Sequence, residues 1–95
     1  MSLHLASSEG HHEIVKLLLS KGANIEAKDR EEKTSLNLAS LKGHLEIVNL
    51  LLSKGANIEA QDLRKRTALY LASSKGHLET VNLLLSKGAN IEAQD

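Results

Sequence analysis

The chain has 95 residues, 12 basic and 12 acidic side chains and no cysteine. It therefore has no net charge to draw nucleic acid or acidic lipid, and no thiol for a disulfide or a metal–thiolate site. No apolar stretch approaches the length of a membrane span or signal-peptide core, and a reducing intracellular setting, cytoplasmic or nuclear, fits.

Tyr70 is the sole aromatic residue, so the core must be built from Leu, Ile, Val and Ala. Base-stacking on aromatic platforms is thereby nearly excluded.

The string KGANIEA starts at Lys21, Lys54 and Lys87, a period of 33 residues. A fixed period of this size marks stacked supersecondary units. Gly10, Gly43 and Gly76 form one repeated set, and Gly22, Gly55 and Gly88 the other. Each is expected just past a helix C-terminus, in the left-handed backbone that glycine tolerates.

The first element of a unit is a short helix ahead of the first glycine. In the second unit Leu36, Ala39 and Ser40 share one face, with Leu38 beside them. Thr34 and Thr67 are its N-cap residues, and the small Ala39 and Ser40 predict close helix approach.

The second element lies between the glycines, with room for about 10 residues. Leu45, Ile47, Val48, Leu50, Leu51 and Leu52 cover more than one stripe, as in a helix sandwiched between neighbours. Glu13, Glu46 and Glu79 fall near its start and Lys54 near its end, each suited to the helix dipole.

The third element is a loop of about ten residues without helical period. Each unit thus reads helix–turn–helix–loop. The fold class is all-α, a solenoid forming one domain over residues 1–95, with units at about 1–28, 29–61 and 62–95.

This pattern resembles the ankyrin repeat, whose 33-residue units have two antiparallel helices and a projecting β-turn loop. The resemblance rests on Thr34-Ser-Leu, Gly43-His-Leu-Glu-Ile-Val and Leu50-Leu-Leu-Ser-Lys-Gly-Ala-Asn, repeated in register. The first unit is truncated and begins near the family's Thr-Pro-Leu-His motif, at Ser2, Leu3 and His4.

The departures from that pattern are specific. Ser2, Ser35 and Ala68 replace the family proline, which is pre-organised for a helix start. His4 keeps the family histidine, but Asn37 and Tyr70 replace it, which questions the Thr–His link in units two and three. Glu32 and Lys65 replace the loop-tip glycine and must accept positive φ or reshape the turn. Glu26, Glu59 and Glu92 replace a loop asparagine that is hydroxylated in some members, so they cannot serve that modification.

Residues 34–62 and 67–95 agree at 25 of 29 positions, so any specific information must sit in the few places that vary. Recent duplication, homogenising recombination and consensus-style design all account for such likeness. The loop tips vary most: Arg-Glu-Glu-Lys at 30–33 is neutral, and Leu-Arg-Lys-Arg at 63–66 carries three positive charges.

In proteins this one resembles, loop tips and inner helix surfaces line a concave groove that grips protein partners. By position this implies Lys28, Arg30, Glu31, Lys33, Leu41, Lys42, Gln61, Leu63, Arg64, Arg66, Ser74 and Lys75. Leu63 and Leu41 are the strongest of these, and Arg64 and Arg66 offer forked contacts to carboxylates of an acidic partner.

The expected function is therefore a non-catalytic protein-interaction module. A structural spacer or engineered scaffold without a cognate partner is the alternative. No cofactor or metal is expected. His12 and Glu13 open an H-E-x-x-H pattern, but Lys16 occupies the second ligand position. His11, His44 and His77 recur one unit apart, too far for a shared metal shell, and are read as polar caps of the second helices.

Terminal units of a solenoid usually present a polar outer face, and here only Thr80, in place of Ile47, has that character. The array is expected to be a piece of a longer one or an engineered minimal one. Its ends should expose apolar surface and promote end-to-end association.

Overall fold

The computed structural model describes residues 1–92, in which three helix pairs stack side by side. Ala93 of the third KGANIEA copy and the rest of the third unit to 95 lie outside the described residues. The first helices are α1 (Ser2–Glu9), α3 (Ser35–Lys42) and α5 (Ala68–Ser74); the second helices are α2 (His12–Ser20), α4 (Leu45–Ser53) and α6 (Leu78–Ser86).

The first helices form one layer, in which α3 lies between α1 and α5, and the second helices form the other. The seam between layers is aliphatic: Val15, Val48, Leu51 and Leu84 are fully buried, joined by Leu36 and Ile47. Ala39 and Ala72 are also fully buried, which is how the first helices approach so closely.

Capping follows the threonines. Thr34 Oγ1 accepts from Asn37 N, and Asn37 Oδ1 accepts from Thr34 N at 2.9 Å, a reciprocal capping box. Thr67 accepts from Tyr70 N at 3.3 Å. Asn37 also donates through Nδ2 to the Ala60 carbonyl at 3.2 Å, and His4 Nε2 donates to the Ala27 carbonyl at 2.8 Å. The two bonds span the same 23 residues, so asparagine performs in unit two the loop-tethering task of histidine in unit one. Lys54 stands one residue beyond α4, as its C-cap.

Two expectations need correction. His44 and His77 occupy N-cap positions but make no capping bond to their own helices. They reach back instead: His44 Nε2 donates to the Ser8 carbonyl and His77 Nε2 to the Leu41 carbonyl, each at 3.0 Å. Those carbonyls lie in the last turns of α1 and α3, where helix carbonyls lack intrahelical partners. The histidines therefore bridge units. Thr80 is likewise not a softened outer face. It is buried, as Ile47 is, on the side of α6 turned towards the preceding unit.

Candidate partner-binding surface

Each loop is organised by an aspartate. Asp29 N donates to Lys33 O at 3.0 Å and Asp29 O accepts from Glu32 N at 2.9 Å, while its Oδ1 accepts from Glu31 N and Lys33 N. Asp62 makes the same four bonds with Arg66, Lys65 and Arg64. The turn closes through a residue in the left-handed region: φ is +62° at Glu32 and +64° at Lys65. These side chains accept the positive φ rather than reshape the turn.

Neighbouring loops are joined to each other. Leu63 N donates to Glu31 O at 2.8 Å, and Lys28 Nζ donates to Gln61 O at 2.8 Å. Glu26 and Glu59 reach forward one unit, accepting from Asn57 N and Asn90 N at 2.7 Å. The glutamates at the family's asparagine position thus brace the row of loops.

The charged tip residues divide into two groups. Lys33 is buried, with Nζ 2.8 Å from Glu31 Oε1 and 3.4 Å from the buried Asp62 Oδ2. Arg66 is half-buried, and its Nε donates to Asp62 Oδ2 at 2.9 Å. Both cations are therefore spent inside the fold. Arg30, Arg64 and Lys65 are exposed, and Leu63 is 64% exposed.

Burial pushes the Asp62 carboxyl up. Bonds from Arg66 N, the Arg66 side chain and Arg64 N, with the Arg66 charge, outweigh that and hold it below its ordinary value of 3.8. A carboxylate held below its unfolded value gives stability that is present above that value and is lost as pH falls through the folded one. Asp62→Asn is expected to cost about 2 kcal/mol at neutral pH, because bonds to a charged acceptor weaken. The difference between wild type and variant should hold through mild acid and shrink only below pH 3.8. Urea unfolding at stepped pH checks both points.

The surface has two hollows. One, of about 690 Å³, runs beneath the tips between Lys28, Glu32, Gln61, Leu63 and Lys65. A smaller one, of about 290 Å³, lies between Glu31, Leu63 and Arg64, floored by Lys33, Asp62 and Arg66. Of the loop residues inferred from the sequence, Lys28, Glu31, Lys33, Gln61, Arg64 and Arg66 line these hollows with Leu63, whereas Arg30 is exposed and lines neither. Lys42, Ser74 and Lys75 are exposed at the far ends of α3 and α5, and Leu41 is half-buried beside Lys42, roughly 12 Å along the helix from the tips. Lys65, Glu26 and Asp62 belong to the surface or its support but escaped the sequence inference. The recurrence of Asp29 at Asp62, and of Glu26 at Glu59, was the available signal.

Among the described residues no group of three or more His, Asp or Glu is placed to hold a metal, and no helix is long and apolar enough to cross a membrane. No curated protein matches the chain in sequence comparison. The family model for ankyrin repeats matches residues 3–95 in three copies. Stacked helix pairs, loops projecting in a row and that match agree: the chain belongs to the ankyrin-repeat family, whose members are generally protein–protein interaction modules and typically non-catalytic.

Proposed function

We propose that this chain binds an acidic protein segment across its loop tips and the adjoining first helices, and does so without catalysis. The observation that carries this reading is Leu63: an exposed leucine at a loop tip, flanked by the unspent cations Arg64 and Lys65, in a chain otherwise repeated almost unchanged. An apolar anchor beside fixed positive charge suits a partner with an apolar side chain next to carboxylates. Arg66 and Lys33 support the surface from below. An intracellular partner fits the cysteine-free composition. The exposed apolar ends also support end-to-end association of the chain.

The near-identity of the copies favours a second reading, a spacer or scaffold without a cognate partner. A peptide-display selection on the folded chain separates the two. The proposal expects enriched ligands that carry Asp or Glu beside an apolar residue. Binding should fall at least tenfold in Leu63→Ser/Arg64→Ser, and weaken with added salt as exposed charges are screened. No enrichment, or ligands that bind the double variant equally, would support the scaffold.

A further inference from the structure

Two half-built contacts stand at opposite ends of the stack. His44 and His77 each bond a carbonyl of the preceding unit and lie over its glycine, Gly10 or Gly43. His11 holds the same repeat position and is exposed. At the other end Gly76 has open space around it, and Ser74 stands where Ser8 and Leu41 offer their carbonyls. In the repeat register, the carbonyl that suits His11 is that of Ser74 in another chain.

The apolar surfaces match in the same register. Ile14 is 49% exposed, whereas Ile47, its equivalent one unit on, is 1% exposed beneath the neighbouring pair. On the α5–α6 side, Leu69, Tyr70, Ser73, Val81, Leu85 and Ile91 line an apolar slot of about 310 Å³. One unit earlier the corresponding Leu36, Asn37, Ser40 and Val48 are buried by the following unit. Glu92 repeats the Glu26 and Glu59 that accept from the next unit's asparagine N–H, and Asn24 carries the equivalent N–H at the opposite end.

We propose that the α5–α6 end binds the α1–α2 end of a second copy, with His11 of the incoming chain over Gly76 and bonded to the Ser74 carbonyl. This deepens the end-to-end association proposed above and rests on it. The contact is head-to-tail and leaves one free end of each kind, so it propagates as a linear stack instead of closing as a dimer.

The test uses two variants, each blocking one end: Ile14→Arg and Ser73→Arg. Both residues are exposed, and circular dichroism with thermal unfolding confirms that each variant folds. Wild-type mass in sedimentation equilibrium should rise with concentration past the dimer. Each variant alone should stay at 10.3 kDa. An equimolar mixture should double in mass, because each variant supplies the end the other lacks. In that mixture the Gly76 amide of the Ile14→Arg chain should shift, as the His11 ring of the other chain covers it. A wild type that stays monomeric overturns end-to-end association altogether. A wild type that associates, with a mixture that does not double or a Gly76 amide that does not move, overturns only the register.

Discussion

Gly43→Ala is expected to destabilise the chain by about 3–4 kcal/mol, and Gly76→Ala by only about 1–2 kcal/mol. Both glycines have φ of +73°, so the backbone cost of a side chain in the left-handed region is shared. Their surroundings differ. A Cβ at Gly43 would lie 2.5 Å from His77 Nδ1 and 2.7 Å from its Cε1, whereas at Gly76 nothing lies within 4 Å. The ring cannot simply retreat, because its Nε2 is fixed to the Leu41 carbonyl. Alanine at 43 must push the imidazole away and release that bond, parting the second unit from the third. Denaturant unfolding of the two variants measures the difference. Equal losses would show that the histidine does not seal the seam.

Leu51→Ala is expected to cost about 2–5 kcal/mol, the range for emptying a fully buried leucine site. Domains of this size are typically stable by about 5–15 kcal/mol, so this one change removes a large share. Its equivalent Leu18, in the first unit, is only half-buried, so Leu18→Ala should cost clearly less. Leu51 sits in the middle pair of a quasi-one-dimensional stack, in which each unit is held mainly by its neighbours. The loss should appear as a lower urea midpoint, accompanied by a reduced slope if the outer pairs begin to unfold separately. A Leu51→Ala penalty no larger than that of Leu18→Ala would contradict a core continuous through all three pairs.

What lies within one unit was legible from the residues. The glycines and the threonine caps follow from local backbone chemistry, and the stripe of Leu, Ile and Val follows from helical period; at Glu32 and Lys65 the residues allow either a positive φ or a reshaped turn, and the fold takes the first. What joins units was not. Nothing local to His44 says that its ring serves Ser8, 36 residues earlier, instead of its own helix. Glu26 reads as a lost modification site until its carboxylate is seen on Asn57 N.

The loop surface shows the same divide. The run Leu-Arg-Lys-Arg at 63–66 suggests three free cations, but the side chain of Arg66 bends back to Asp62, which lies four residues away across the turn. Lys33 is drawn inward by the same carboxylate, from the following unit. Charge counted along the sequence therefore overstates the charge presented, which in this loop the fold leaves to the exposed Arg64 and Lys65. Thr80 was misjudged for a related reason. A polar residue in place of Ile47 suggested an outer face, but the stacking direction turns that position inward.

In the proposed mode of binding, contact is made at the loop tips and the helix layer turned towards them. The most direct measurement is amide shift mapping of the isotope-labelled chain, titrated with an acidic ligand selected on it. The largest shifts should fall at Lys28, Arg30, Leu63, Arg64 and Lys65, with smaller ones along α3 and α5. Shifts centred on α2, α4 and α6, with the loop amides unmoved, would contradict it.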